Sequence, residues 1–414
     1  MTAAALARLV RDGLAGHADG TIGVAVSGGG DSTALLILLD DWRREGGPGL
    51  AAVTVDHGLR PEAAAEAAGV AQLCARLGVP HDILRWHWDG QGNLPDAARR
   101  GRRDLIAGWA RERGIASVAL AHTADDQAET VLMRLARGSG VDGLSAMAAA
   151  RRAGGIVWLR PLLAARRAVL RRFLADRGAG WAEDPTNDDP AYDRVKARAM
   201  LEALAPLGVT VEGLCATAGW MRLAREVLEG AAADLARRAV RADRGDVLIA
   251  RDDLLAAPAE TRQRLMAGML MWVAGLAYRP RHEALERLMR AVAAGRAATL
   301  AGCHVAVARG QVRLTREARA VEGLVAPPGI PWDGRWVLCG PFAAGMEVRA
   351  LGAAGLAACP DWRASGLPRR SLLASPAVWQ GARLVAAPLA GHGRGWTAEL
   401  GPGRDDPITS LVTH

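Results

Sequence analysis

The sequence predicts an α/β chain: an N-terminal domain built on a parallel β-sheet, followed by a mostly helical middle domain and a small β-containing C-terminal domain. Three observations predict it. Short apolar β-type runs alternate with helical patterns through residues 1–190. The first β-type run breaks into Ser27-Gly28-Gly29-Gly30-Asp31-Ser32 and enters an apolar helical run at once. From residue 205 onward the texture changes to long helical stretches, and from Gly334 to short β-type runs punctuated by Trp336, Phe342, Val348 and Leu384.

Residues 1–20 read as helical, and Arg8, Arg11 and Asp12 interrupt the continuous apolar core that a signal peptide needs. Strands at 22–26, 51–55, 81–86 and 117–121 alternate with helices at 33–45, 61–77, 95–113 and 125–137. Sheets of this kind bind ligands beyond the carboxyl ends of their strands, and every polar motif falls at such an end. After the first strand, three glycines admit an anion to unpaired helix N–H groups, giving a phosphate cradle. Ser27 and Ser32 add hydroxyls, and Asp31 adds a carboxylate suited to Mg²⁺. No Gly-Lys-Ser/Thr ending follows, so this is not a Walker loop. The second strand ends in Val55-Asp56-His57-Gly58-Leu59-Arg60-Pro61; Asp56 and His57 overhang the same crevice, or else cap the helix starting near Pro61. In Asn93-Leu94-Pro95-Asp96-Ala97-Ala98-Arg99-Arg100-Gly101-Arg102-Arg103, Arg99 and Arg103 share a helix face. That face suits ATP or RNA phosphates, or simply solvent. The fourth strand ends in His122, and Asp125, Asp126 and Glu129 follow. Asp125 and Glu129 lie on one face, with Asp126 about 100° round. Acids are favoured at a helix N-terminus, but three carboxylates and a histidine exceed what capping needs. They suit a site that binds an amine, holds Mg²⁺ or takes a proton.

The chain carries 52 Lys and Arg against 44 Asp and Glu, and its net charge of +8 favours a polyanionic partner. Lys196 is the only lysine, which hints at a local need for a compact ammonium. No uncharged apolar stretch reaches the length of a membrane span. Cys74, Cys215, Cys303, Cys339 and Cys359 form no Cys-x-x-Cys pair, which argues against a zinc knuckle or an iron–sulfur site, and their odd number suits the cytoplasm. Residues 183–191 read as a connector, and a basic helix begins at Tyr192, carrying Arg194, Lys196 and Arg198. Residues 205–318 are the expected middle domain, with helices at 211–240 and 258–294, a strand at 246–250 and a hairpin around Arg309-Gly310. Ala326-Pro327-Pro328-Gly329 reads as a linker and residues 332–405 as the C-terminal α+β domain, with a loose tail from Gly403. Neither later domain holds a catalytic set, so both are expected to serve recognition.

Ser27-Gly28-Gly29-Gly30-Asp31-Ser32 resembles the PP-loop of the ATP pyrophosphatases, whose domain is adenine nucleotide alpha hydrolase-like. Asp56-His57-Gly58-Leu59-Arg60 follows, then Ala121-His122-Thr123-Ala124-Asp125-Asp126-Gln127-Ala128-Glu129-Thr130. Next come the arginine-glycine segment Arg134 to Leu144, Arg160-Pro161-Leu162-Leu163, and Trp181-Ala182-Glu183-Asp184-Pro185-Thr186-Asn187 with Tyr192, Arg194 and Arg198. Over residues 20–198 this order resembles the tRNA(Ile)-lysidine synthases. Two positions depart from the family pattern: Val195 stands where an asparagine is common, and Thr123 where a second histidine is often seen.

The resemblance implies ATP-dependent ligation of L-lysine to carbon 2 of the wobble cytidine in tRNA(Ile) with a CAU anticodon. The route passes through an adenylated cytidine and releases AMP and pyrophosphate. It implies that Ser27 to Ser32, with Asp56 and His57, hold ATP, and that Asp31 holds Mg²⁺. Asp125, Asp126 and Glu129 would bind lysine and take its proton. His122 would contact the adenylated intermediate or the α-phosphate, and Arg99 and Arg103 would offset developing charge. Arg137, Arg194, Lys196 and Arg198 would contact substrate, the later domains would hold the tRNA body, and a homodimer is compatible with the family. The alternatives are a thiolase or amidotransferase of the same class, or a nucleotide- or RNA-binding protein without catalysis.

Overall fold

The computed structural model describes residues 1–58, 62–88, 90, 93–183, 189, 192–276, 278–401, 404 and 406–412. Leu59, Arg60, Pro61 and Asp184 to Asp188, which belong to two of the motifs above, lie outside the described residues. The chain divides into two compact units, residues 1–225 and 226–414.

The first unit begins with α1 (Ala3–Gly13), β1 (Thr21–Ala25), α2 (Gly30–Arg44), β2 (Gly49–Asp56), α3 (Glu62–Leu77) and β3 (His81–Arg85). It continues through α4 (Leu94–Glu112), β4 (Ser117–Ala119), α5 (Ala124–Leu135), α6 (Val141–Leu144), β5 (Ala150–Ala153), β6 (Ile156–Leu159), α7 (Arg167–Asp176) and α8 (Asp193–Leu204). The strand order is β3-β2-β1-β4-β6-β5. All pairings are parallel except β5 with β6, a hairpin the alternation did not foretell. Strand order reverses between β1 and β4, and such a switch point opens a crevice beyond the carboxyl ends of the strands.

Two cores hold the sheet. On one face Leu6 and Val10 of α1, Leu35 to Leu39 of α2, Val70 and Cys74 of α3 and Leu170, Phe173 and Leu174 of α7 pack against Ile22 and Val24. On the other, Ile106, Trp109 and Ala110 of α4 pack against Ala51, Val53, Val118 and Trp158. Helix α2 is buried from Ser32 to Asp40, the pattern of a central helix rather than an amphipathic surface one. Its position fixes the turn that precedes it.

Helix α9 (Val211–Ala239) begins in the first unit and ends in the second. Then come β7 (Val240–Asp243), β8 (Asp246–Ala250), α10 (Arg251–Ala256), α11 (Ala259–Ala274), α12 (His282–Ala293), β9 (Ala298–Leu300), β10 (Cys303–Ala308) and β11 (Gln311–Arg316). The sheet order is β7-β8-β11-β10-β9, antiparallel throughout. The helical pattern at 258–294 is two helices, the first closed by Gly275 in the left-handed region. Arg309 and Gly310 turn the β10–β11 hairpin with φ of 50° and 73°, as a two-residue hairpin turn demands. Four strands (Val325–Ala326, Met346–Ala350, Pro376–Gln380, Arg383–Ala386) and a separate pair (Trp336–Cys339, Thr397–Leu400) complete the unit. Ala326, expected in a linker, is a buried strand residue opposite Val348. The terminal segment is anchored rather than loose, since Leu411 is fully buried in the core around α11. Among the described residues no single helix is long and apolar enough to cross a membrane.

Gly23 lies in β1 beneath α4, where an added Cβ would stand 3.0 Å from both Trp109 and Val118. Both neighbours are buried and cannot swing away, so Gly23→Ala is expected to overpack this face and destabilise the protein by about 1–3 kcal/mol. A lowered urea midpoint with an unchanged slope checks it.

Candidate active site

The first half of the site is the turn between β1 and α2. Val26 donates its N–H to Val53 at 2.9 Å, holding the chain in sheet register until Ser27. Gly28 then adopts φ of 92°, a conformation that side chains resist. Gly29 is the N-cap of α2 and offers no side-chain cap, so the first N–H groups stay open. Ser32 closes the loop: its hydroxyl accepts from the Ser27 N–H at 3.2 Å and donates to the Gly29 carbonyl at 3.0 Å. The loop is also braced from outside. Ala182 donates its N–H to the Gly28 carbonyl at 2.9 Å, and Trp181 lies over Gly30, 3.4 Å from where a Cβ would stand.

The second half comes from the end of β4. Thr123 caps α5: its hydroxyl accepts the Asp126 N–H, and the Asp126 Oδ2 accepts from the Thr123 N–H and hydroxyl at 2.8 Å each. This reciprocal box explains a threonine at a position where the family pattern often has histidine. Asp126 Oδ1 accepts from Arg167 at 3.1 Å and lies 4.0 Å from Arg194. Glu129, one turn along, is 1 % exposed; its Oε1 accepts from Arg167 at 3.4 Å and Arg198 at 3.2 Å. Its Oε2 is buried with no hydrogen-bond partner.

Arg167 joins the halves. Its Nε donates to Asp31 Oδ2 at 3.1 Å while its other nitrogens hold Asp126 and Glu129. Asp31 Oδ1 is buried and unpartnered. Burial pushes the Asp31 pKa up, and Arg167 opposes the rise. Burial also acts to raise the Asp126 pKa, but Arg167, the Thr123 N–H and Arg194 outweigh it and hold the carboxyl below its ordinary range. His122 is the opposite case. Burial outweighs the pull of Asp126 and pushes its pKa down to about 4, so the ring is neutral at physiological pH and its Nδ1 has no partner. His57 is also shifted down, by burial and then by Arg102, and stands edge-on to Trp86 at 5.9 Å.

A single cavity of about 1120 Å³ joins the two halves. That exceeds the ~300–1,000 Å³ of a site for one small molecule, leaving room for a nucleotide and a second reactant. Ser27, Gly29, Gly30, Asp31, Ser32, His57, His122, Asp126, Arg194 and Arg198 line it. The other sequence candidates stand elsewhere, and Glu129 is buried outside the cavity lining. Asp125 accepts the backbone N–H of Arg167 at 2.7 Å and the side chain of Arg166 at 3.3 Å, tying α5 to α7. Asp56 accepts the Gly58 N–H within its own turn at 2.8 Å. Gly28 faces its carbonyl toward Ala182. Arg99 and Arg103 are exposed, with Arg103 donating to the Arg99 carbonyl at 3.2 Å. Arg137 and Lys196 are exposed and both approach Asp193, at 2.9 and 3.9 Å.

Sequence reasoning missed Arg167 and Arg102. Arg102 stands on the cavity wall in a row with Leu94, Ala98 and Ile106, each four residues apart on α4. The apolar members of that row mark the inward face and were the signal that selects Arg102 over its neighbours. Arg167 left no comparable signal, because its partners are distant in sequence.

The family model described as the PP-loop domain matches residues 2–204. The chain is 50 % identical over 394 residues to a tRNA(Ile)-lysidine synthase of Ruegeria pomeroyi, spanning 95 % of this chain and 94 % of that one. It is 39 % identical over 320 residues to a tRNA(Ile)-lysidine synthase of Hyphomonas neptunium, spanning 75 % and 84 %. It is 38 % identical over 381 residues to that of Mesorhizobium japonicum, spanning 88 % and 84 %. With a phosphate loop and an ionised carboxylate on the walls of one cavity, and with relatives matched along nearly their whole length, the chain belongs to the tRNA(Ile)-lysidine synthase family.

Proposed function

We propose that this protein joins the ε-amine of L-lysine to carbon 2 of the wobble cytidine in tRNA(Ile) with a CAU anticodon, at the expense of ATP. The observation that carries this reading is the shared cavity: the glycine turn and the Asp126 carboxylate face one space, in a chain half identical to a tRNA(Ile)-lysidine synthase. In the first step the cytidine O2 attacks the α-phosphorus of ATP and pyrophosphate leaves. In the second the amine attacks carbon 2, the C–O2 bond breaks, AMP departs with that oxygen, and the nitrogen gives up its proton.

The residues suit both steps. Open N–H groups at the start of α2, with the Ser27 and Ser32 hydroxyls, bind the departing phosphates. Asp31 Oδ1, buried without a partner, suits a Mg²⁺ ion, which prefers one or two carboxylates together with substrate phosphates. That ion would neutralise phosphate charge. The lysine amine has an ordinary pKa of about 10.4 and arrives as an ammonium. Asp126, ionised by its surroundings and standing on the cavity wall, binds that ammonium and takes its proton. Neutral His122 serves as a hydrogen-bonding group beside the reacting phosphate. Arg99, Arg103, Arg137 and Lys196, exposed outside the cavity lining, suit tRNA phosphates. Methionine tRNAs also carry CAU, so identity must be read on the tRNA body, a task for residues 205–318 and 332–405.

Incubation with ATP, Mg²⁺, radiolabelled lysine and unmodified tRNA(Ile) transcript should transfer label to RNA with one AMP per lysine, and a transcript with uridine at the wobble position should take none. AMP release without label in RNA would refute the assignment. Asp126→Asn should slow transfer by roughly 10²–10⁴-fold, the ordinary worth of a positioned base.

Arg167 gives a second prediction. Removing one member of a buried ionic cluster costs about 3–5 kcal/mol. Arg167→Gln leaves Asp31, Asp126 and Glu129 without their shared cation, and for Asp31 and Asp126 it removes the charge that holds the carboxyl pKa down, so their folded-state values rise above the unfolded ones. The variant should therefore be less stable at pH 7, and the deficit should shrink as pH falls through the carboxylate range near 4–5 and the acids protonate. Urea unfolding of both proteins across that range checks the sign.

A further inference from the structure

The second unit is built around separate cores. One lies between the β7–β11 sheet and its helices, around Met266, Leu270 and Val305; another lies among the terminal strands, around Trp332, Val348 and Val378. Separate cores leave relative motion as the ordinary expectation, and apolar contact, being non-directional, fixes no single angle between two lobes.

Here the seam between the lobes is polar and buried. The turn of the β7–β8 hairpin, Arg244-Gly245, is gripped by the terminal lobe. Gly245 has φ of 88°, and a Cβ there would stand 2.3 Å from the Trp336 ring. Its carbonyl accepts from Arg335 at 2.6 Å, and Arg244 donates to the Ser365 carbonyl at 2.5 Å. Beside the turn, Asp246 accepts from Ser371 at 2.6 Å and from Arg313 at 2.7 Å. Arg316 of β11 holds Asp333 through two bonds of 2.9 and 3.0 Å.

Arg335 stands at the middle of this seam. It is 2 % exposed, and its guanidinium lies 5.5 Å from the Trp272 ring of α11 and 5.9 Å from the Trp336 ring. Its Nε has no hydrogen-bond partner. Burial pushes its pKa down to about 10 against the pull of Asp333, which is itself held by Arg316. A cation sunk in this way does not maximise stability. It supplies direction instead: a carbonyl and two ring faces, drawn from both lobes, receive a planar cation in one relative placement.

We propose that Arg335 is a positioning residue: with the Asp246–Ser371 bond and the Arg316–Asp333 pair, it locks the two lobes at one angle, so that a tRNA body meets them as a single surface of fixed geometry. The proposal rests on the reading that these lobes hold the tRNA. It places part of the choice among CAU-bearing tRNAs in buried residues.

Wild type, Arg335→Met, Arg335→Lys and Ser371→Ala are compared by amide hydrogen exchange at residues 244–248, by kcat and KM for tRNA(Ile) in lysine transfer, by transfer to a methionine tRNA transcript with CAU, and by binding of α,β-methylene-ATP. Every variant should exchange faster at the β7–β8 turn. Arg335→Met should raise the KM for tRNA(Ile) about tenfold, since affinity falls with the fraction of molecules holding the competent arrangement. Its preference for tRNA(Ile) over the methionine tRNA should narrow. Arg335→Lys should fall between, because it keeps the charge and loses the planar fork. Ser371→Ala removes one hydrogen bond and spares both cores, so it tests the seam even where Arg335→Met fails to fold. The kcat at saturating tRNA and the binding of the ATP analogue should not change. An unchanged tRNA KM in a variant whose turn exchanges faster would overturn the proposal, as would a kcat or nucleotide affinity that falls as far as tRNA affinity. Failure of lysine transfer by the wild type would refute the lysidine reading instead, and tRNA binding by the same variants would then judge the lock alone.

Discussion

One guanidinium, that of Arg167, is shared by three carboxylates drawn from two elements, and the geometry of the site depends on it. Asp31 comes from the first turn of α2, Asp126 and Glu129 from the first turns of α5. Carboxylates gathered in a half-buried space repel one another and lose hydration, so without a common cation they would protonate or move apart. Arg167 is held at both ends. Its backbone N–H is taken by Asp125 of α5, and its side chain returns to Asp126 and Glu129 of the same helix. Asp125 therefore acts on the site through Arg167. The cluster in turn raises the pKa of Arg167 against the effect of burial, so the cation is permanent.

The cluster can exist because of topology. Strands β1 and β4 are neighbours, so the glycine turn and the capped start of α5 leave the sheet side by side. The chain then uses α7 to supply the cation and the Trp181–Ala182 segment to brace the turn from outside. Each half is locally specified: the turn by Gly28 and Ser32, the helix start by the Thr123–Asp126 box. The guanidinium bridge is the tertiary contact that spans them, and it converts two local motifs into one site.

This division explains what the sequence made legible. Ser27 to Ser32, His122 and Asp126 could be placed because strand, turn and cap signals are local and strand ends converge by rule. Arg99 and Arg103 were singled out for a shared face, but sharing a face does not say which face turns inward; Leu94, Ala98 and Ile106 carry that information, and they point to Arg102. Asp125 looked equivalent to Asp126 by composition, whereas its orientation depends on where α7 begins. The β5–β6 hairpin follows a helix–strand alternation and left no break in it, and Leu411 finds its core only after the terminal segment folds back. Such contacts are set by packing between distant segments, which periodicity does not encode.

The proposed chemistry asks one cavity to do two electrostatically opposite things: stabilise anionic phosphate and discharge a cationic amine. The distribution of charge meets both demands. On the phosphate side stand open N–H groups and a neutral His122. On the amine side stands Asp126, held ionised, with Glu129 buried off the cavity wall and tied to Arg167 and Arg198. If Arg167 were absent, charge would leak between the sides, since Asp31 would repel the phosphates it should help to bind. If His122 carried a proton at neutral pH, it would compete with the incoming ammonium for Asp126. Burial prevents that by keeping the ring neutral down to about pH 4. The same desolvation that costs folding free energy at His122 thus preserves the separation of charge on which both half-reactions rely.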